Sequence, residues 1–320
     1  MAKKVLVTAR FTDTQKAELA SMRPELEFRF QSPDKTTEED LKSVDALIGN
    51  VDVSLLSNMA HLEWIQLNSS GADAYALPGA VPEQTVLTCS TGAYGLGISE
   101  YMVAMLLAMM KKIPGYLDAQ KDGKWVNLGS VESPFGKRVL LIGCGNIGLE
   151  FAKRMRAFGC KPVGIRRRSD RLPEELDEVY GPEALAGQVA LADVIAVSLP
   201  GTASCFHMLD RELLSHCKEG AYLMNVGRGN VIDTSALLDP EISGRFAGIW
   251  LDVCETEPLP DNDPLYHVPG LLLTPHITGG YHLEQTVQNI FDIAVHNLNA
   301  WCDGKDYIRL VSRKDGYSLS

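Results

Sequence analysis

The segment from Val139 to Phe158 constrains the fold more than any other part of this chain. Val139-Leu140-Leu141-Ile142 is an uninterrupted apolar run, as expected of a strand covered on both faces. It runs directly into Gly143-Cys144-Gly145-Asn146-Ile147-Gly148, and a helix-type stretch, Leu149 to Phe158, follows and ends at Gly159. The glycines have separate jobs. Gly143 permits a tight turn, Gly145 lets backbone approach a pyrophosphate, and Gly148 lets the helix pack close to the strand. Phosphates would then sit at the helix N-terminus beside Asn146 and Ile147, where free N–H groups and the macrodipole favour negative charge. Glycine spacing alone is weak evidence. The strand before it, the helix after it and a second strand at Lys161–Ile165, roughly 20 residues on, make it a dinucleotide-binding unit.

The end of that second strand bears on which dinucleotide. In NAD-binding units an Asp or Glu there accepts hydrogen bonds from the ribose 2′-OH. Here the strand continues into Arg166-Arg167-Arg168-Ser169, and the first acid is Asp170. Three guanidiniums suit a 2′-phosphate, which they can grip bidentately. A solvated basic turn is the other reading. The expectation is NADP(H), with NAD(H) as the second choice.

Two blocks of alternating strand and helix signals surround this unit. The first has β-rich runs at Lys4–Thr8, Glu27–Phe30, Ala46–Ile48, Trp64–Leu67 and Val86–Thr88, separated by helix-compatible stretches such as Thr14–Met22 and Thr37–Ser43. The second has strands at Arg138–Ile142, Lys161–Ile165, Val194–Ser198, Ala221–Asn225, Ala247–Asp252 and Leu271–Thr274. A long helix at Ile98–Lys112, closed by Pro114 and Gly115, and a Gly-rich loop from Gly123 to Gly136 lie between the blocks. A helical pattern from about Leu283 to Trp301 returns to the first block, and residues 305–320 read as loosely held. Such alternation implies parallel sheets with crossover helices. The expected class is α/β, with two Rossmann-like or flavodoxin-like doubly wound domains. The cofactor domain, residues 99–282, is inserted into a substrate domain made of residues 1–98 and 283–320.

With 320 residues the chain can build a sizeable core in each domain. A formal net charge of −11 argues against nucleic acid and anionic membrane as partners. The longest apolar run, Tyr101 to Met110, is about half of what a membrane span needs. The N-terminal run Val5-Leu6-Val7 is too short for a signal peptide, and no regulatory domain is expected beyond residue 320. Seven cysteines with no C-x-x-C pair suggest neither a disulfide framework nor a zinc site, but reduced thiols in a cytoplasmic protein. No metal is called for.

Three residues far apart in sequence stand at or after the ends of later strands. Arg228 lies in Asn225-Val226-Gly227-Arg228-Gly229, Glu257 in Asp252-Val253-Cys254-Glu255-Thr256-Glu257-Pro258, and His276 in Thr274-Pro275-His276-Ile277. Ligands of open α/β sheets bind at carboxyl ends of strands, so all three can converge on one cofactor. A lone histidine is more often structural than catalytic. The set taken together, with Ala192-Asp193-Val194 and Leu199-Pro200-Gly201-Thr202, resembles the D-isomer-specific 2-hydroxyacid dehydrogenase family over nearly the whole chain.

That resemblance implies roles by position. Arg228 would hold the carboxylate and carbonyl oxygen of a small anionic 2-oxo acid. His276 would protonate the carbonyl oxygen during reduction, and Glu257 would pair with it. Hydride arriving at C2 builds negative charge on oxygen, which a cationic His and a fixed Arg can answer. A neighbouring carboxylate favours the imidazolium. The branch of formate dehydrogenases carries glutamine where this chain has Glu257, so hydroxyacid chemistry is expected. Pro200, Thr202, Val226 and Asp252 would contact the cofactor, although Asp252 also reads as a strand-end cap. Leu67-Asn68-Ser69-Ser70-Gly71 resembles the family's glycine turn, whose Ser70 and Gly71 N–H groups would bind the carboxylate; an ordinary strand-end turn is the alternative. Asn50, Tyr94 and Tyr281 are further pocket candidates, Tyr281 equally a helix start. One departure is Cys205, where relatives often carry a threonine hydroxyl. Some proteins of this fold act instead as dinucleotide-sensing corepressors, the alternative reading. The helix at 98–112 is apolar around more than one face, which points to a homodimer.

Overall fold

The computed structural model describes residues 2–167, 169–314 and 316–318. The chain forms two compact units, Met1–Tyr94 with Tyr281–Ser320, and Gly95–Gly280. Along the chain, the second lies between the two segments of the first.

The first unit is a five-stranded parallel sheet of β1 (Lys4–Val7), β2 (Glu27–Phe30), β3 (Ala46–Ile48), β4 (Trp64–Gln66) and β5 (Val86–Thr88), in the order β2-β1-β3-β4-β5. Helices α1 (Asp13–Met22) and α2 (Glu38–Lys42) begin at reciprocal capping boxes, Thr12 with Gln15 and Thr37 with Asp40. The C-terminal helix Glu284–Asp303 returns to pack against β4. Its Asn297 is fully buried and donates to Gln66 Oε1 at 2.7 Å and to the Ile308 carbonyl at 3.0 Å.

The C-terminal tail, read from sequence as loosely held, is tied down. Leu310 bridges to Thr88, and the Arg313 guanidinium donates to the carbonyls of Val81, Pro82 and Thr85 at 2.7–2.8 Å. A polar tail stays docked where its side chains donate to carbonyls of the loop before β5.

The second unit begins with α3 (Gly95–Met110) and α4 (Ile113–Lys121). Its seven parallel strands are β6 (Arg138–Ile142), β7 (Lys161–Ile165), β8 (Glu178–Tyr180), β9 (Val194–Val197), β10 (Ala221–Asn225), β11 (Phe246–Leu251) and β12 (Leu271–Leu273), in the order β12-β11-β10-β9-β6-β7-β8. Helix α5 (Asn146–Ala157) follows β6 and packs along α3. The order reverses between β6 and β9, which makes this the doubly wound dinucleotide type of sheet.

Two local expectations are corrected. Pro114 and Gly115 do not end the helical region. Lys112 turns left-handed at φ 55°, and Pro114 opens α4 in its first turn, where a missing N–H costs nothing. Strand β8 was not anticipated. It has three half-buried residues and no periodic signal, and the bidentate Arg138–Glu178 pair ties it to β6 across β7. All seven cysteines are free, and four are buried. Among the described residues no helix is long and apolar enough to cross a membrane.

Candidate active site

Within the second unit the candidates stand at the carboxyl ends of parallel strands. The glycine loop after β6 lies at the reversal point. Ser198, just past β9, donates from Oγ to the Gly143 carbonyl at 2.9 Å and pins the loop across the crevice. Gly148 admits no side chain, because a Cβ there would lie 2.2 Å from the Gly143 carbonyl oxygen. Gly145 differs. Its φ of −83° is ordinary, and nothing lies within 4 Å of where a Cβ would be. The space in front of it is open to an incoming phosphate, and first-turn N–H groups of α5 have no intrahelical acceptor. This cradle fits a dinucleotide pyrophosphate. Asn146 is exposed, with its side chain beside Gly95 at the start of α3, and Ile147 is half-buried. Burial pushes the Cys144 thiol up to about 11, with the Arg166 guanidinium acting in the opposite sense, so this loop thiol stays protonated.

At the end of β7, Arg166 donates its N–H to the Tyr180 carbonyl at 3.0 Å, and Arg167 is exposed. Arg168 lies outside the described residues. In the loop after β9, which carries Pro200, Thr202 donates from Oγ1 to Cys205 Sγ at 3.2 Å, and Cys205 is buried in the core. The position where relatives often have a hydroxyl therefore packs inward here.

Arg228 follows β10 and the buried Val226. Asn225, fully buried, braces it from both directions: its Oδ1 accepts from the Gly227 N–H at 3.0 Å, and its Nδ2 donates to the Arg228 carbonyl at 2.9 Å. A Cβ at Gly229 would sit 1.9 Å from the Cys254 carbonyl carbon, so the loops after β10 and β11 touch backbone to backbone.

Glu257 in the loop after β11 meets His276 in the loop after β12. His276 Nδ1 lies 2.7 Å from Glu257 Oε2, and Oε1 of the same carboxylate accepts from the Cys254 N–H at 3.0 Å. The imidazole is 48% exposed and Nε2 has no hydrogen-bond partner among the described residues. Asp252 sets this geometry. Only 2% exposed, it accepts from Thr274 Oγ1 at 2.5 Å, Ile277 N–H at 3.2 Å, Thr278 N–H at 3.3 Å and Thr278 Oγ1 at 2.6 Å. His276 is left-handed at φ 49°, and its N–H donates to the Asp252 carbonyl at 2.8 Å.

The first unit gathers its own candidates at the carboxyl edge of its sheet. Asn50 and Asn68 exchange backbone-to-side-chain hydrogen bonds at 2.7 and 3.0 Å, and Asn50 Nδ2 donates to Ser69 Oγ at 3.0 Å. Asn68 also donates to the Tyr281 hydroxyl, and Tyr94 donates to the Asn68 carbonyl. Asn68 is thus the hub of this cluster, a role the sequence did not single out; its partner Tyr281 is 213 positions away. Burial pushes the Tyr281 hydroxyl up to about 12 and raises Tyr94 as well, so both remain neutral donors. Ser70 Oγ lies 3.3 Å from Thr91 Oγ1, and among the described residues neither the Ser70 nor the Gly71 N–H has an acceptor.

Comparison with known proteins bears on the family and the fold. Residues 103–278, more than half of the chain, match the profile described as D-isomer specific 2-hydroxyacid dehydrogenase, NAD binding domain. A glyoxylate reductase from Thermofilum pendens is 29% identical over 286 residues, covering 86% of this chain and 83% of the relative. A D-isomer specific 2-hydroxyacid dehydrogenase family protein from Aeromonas salmonicida superposes with a TM-score of 0.87 at 29% identity, covering 98% of this chain and all of the other. The Xanthobacter autotrophicus D-isomer specific 2-hydroxyacid dehydrogenase, solved with NADPH and MES, gives 0.83 at 25% identity with 99% of each chain covered. The chain belongs to the D-isomer-specific 2-hydroxyacid dehydrogenase family. It is an oxidoreductase of hydroxy and keto acids that works with a nicotinamide dinucleotide.

The two glycines should separate folding from binding. Gly145→Ala should keep stability within about 0.5 kcal/mol while weakening dinucleotide affinity about tenfold or more. Gly148→Ala should cost about 2 kcal/mol or more of stability, because the Gly143 carbonyl is rigid backbone. Denaturant unfolding and titration of each variant with NADPH check both.

Proposed function

We propose that this protein reduces a small 2-oxo acid to the D-2-hydroxy acid, with NADPH as the preferred donor. The observation that carries the reading is the 2.7 Å contact between His276 Nδ1 and Glu257 Oε2, which orients the imidazole and leaves Nε2 for the substrate. When bound, the dinucleotide supplies the hydride that adds to C2. Arg228 holds the substrate carboxylate and steadies charge growing on the carbonyl oxygen. His276 donates its Nε2 proton to that oxygen, completing the alcohol, and takes it back in the reverse reaction. Glu257 accepts the Nδ1–H throughout and so fixes the ring and its tautomer. In the first unit, the unengaged N–H groups of Ser70 and Gly71 are assigned to the carboxylate, and Asn50, Tyr94 and Tyr281 to the rest of the substrate. The corepressor alternative is less well supported, since a sensor needs no assembled acid–base pair.

A panel of 2-oxo acids headed by glyoxylate, assayed with each reduced cofactor, tests the reaction. His276→Ala should lower kcat about a hundredfold or more and leave NADPH affinity intact. Arg228→Ala should raise KM and lower kcat together. Near-normal turnover in either variant would sink the assignment.

Arg166 and Arg167 support the cofactor preference, since the end of β7 offers no carboxylate to a ribose 2′-OH. The ratio of kcat/KM for NADPH over NADH should exceed one, and replacing both arginines with alanine should lower it. A wild-type ratio below one would refute the preference.

We also propose a homodimer formed through α3 and the segment that follows α4. Tyr101 on the outer side of α3 is 38% exposed, and beyond α4 stand Trp125 at 103%, Val131 at 49% and Phe135 at 79%. Large apolar groups left this exposed fit a self-associating surface better than a solvated one. Light scattering at micromolar concentration should give twice the mass of one chain; a monomer would overturn the assignment.

A further inference from the structure

The Glu257–His276 pair cannot hold its own loop in place. Both side chains are more than a third exposed, and exposed ion pairs contribute only about 0–1 kcal/mol. Residues 254–263 have no regular secondary structure. Something else must fix Glu257.

A second histidine–glutamate pair does so from the other side of the same loop. Glu255, two positions before Glu257, has its Oε2 2.8 Å from His207 Nε2. Its Oε1 accepts from the Thr234 N–H at 3.1 Å and from Thr234 Oγ1 at 2.7 Å. Burial alone would raise the Glu255 carboxyl, but the bonds from His207 and Thr234 outweigh it and hold the group below its ordinary value. His207 is itself fixed. It is left-handed at φ 47°, its N–H donates to the Asn230 carbonyl at 2.8 Å, and its ring stacks on Phe206 at 4.0 Å. Asp233 is an acidic group close to the pair, and its Oδ1 is engaged by the Ser235 N–H and hydroxyl at 3.1 and 2.6 Å.

The loop after β11 is therefore fastened to three neighbours. Glu255 reaches the loops after β9 and β10, and Glu257 reaches the loop after β12. We propose that His207 and Glu255 are positioning residues that set the distance between Glu257 and His276, and so tune proton transfer without touching the substrate. This rests on the acid–base role proposed for His276. If His276→Ala kept its activity, that role would fall; if His276→Ala is inactive, the variants below judge the clasp alone.

The test compares Glu255→Ala, Glu255→Gln and His207→Ala for kcat and for KM of NADPH. Displacement of a catalytic group by about 1 Å costs up to a hundredfold, so Glu255→Ala should lower kcat about tenfold. Its KM for NADPH should stay unchanged. Glu255→Gln keeps an acceptor for Thr234 and should recover most of the loss. His207→Ala removes a half-exposed side chain and should lower kcat in the same way with KM for NADPH unchanged, which keeps the proposal testable if Glu255→Ala fails to fold. A wild-type kcat in both alanine variants would overturn it. So would a KM for NADPH that rises in step with the fall in kcat, or a Glu255→Gln variant no better than Glu255→Ala.

Discussion

The carboxylate of Asp252 is the interaction on which the candidate site of the second unit hangs. It sits at the end of β11 with only 2% of its surface exposed. A buried carboxylate is costly unless its lone pairs are satisfied. Here four donors satisfy them, from Thr274, Ile277 and Thr278. Those bonds fold residues 274–278 around one point and hold His276 in a left-handed backbone that a non-glycine residue rarely adopts. Trp250, on the same strand, adds a bond from Nε1 to Thr274 Oγ1 at 3.0 Å. Strand β11 thus supplies the anchor for the histidine, and the loop after it supplies the histidine's partner.

Close backbone approach is the second constraint. The loops after β6, β9, β10 and β11 crowd one end of the sheet. Gly148 lies against the Gly143 carbonyl and Gly229 against Cys254, each too near for a side chain. This crowding leaves little room between the loops. Rigid placement matters most for proton transfer, where the donor must lie within hydrogen-bond reach. Charge works by the same local logic. The chain carries a net −11, yet Arg166 and Arg167 stand at the end of β7 and Arg228 after β10, so positive charge is placed locally against the global field.

Much of this was legible in the sequence. Parallel strands buried on both faces are nearly continuous apolar runs, so β6 and β9 announced themselves, and the glycine pattern between β6 and α5 marked the dinucleotide loop. The five strands of the first unit fell where alternation put them. Strand β8 did not, being three residues long and half-exposed. Helix α4 was hidden because Pro114 reads equally as a stop and as a start. The tail was misread because its polar composition gave no hint that Arg313 would cap three carbonyls.

Residue type and order alone determined the class of sheet and marked the glycine loop, Arg228, Glu257 and His276 as candidates. Each depends on local pattern: hydrophobic period, glycine spacing, a charged residue after a strand. Only the tertiary structure decided how the side chains are held. Asn225 as the brace of Arg228, Asn68 as the hub joining Asn50, Tyr94 and Tyr281, Asp252 as the fastener of the histidine loop, and Glu255 as the counterpart of Glu257 all depend on partners brought together by the folded sheets. A hydrogen bond forms over about 3 Å, and sequence separation says nothing about which buried donors and acceptors will come within that distance.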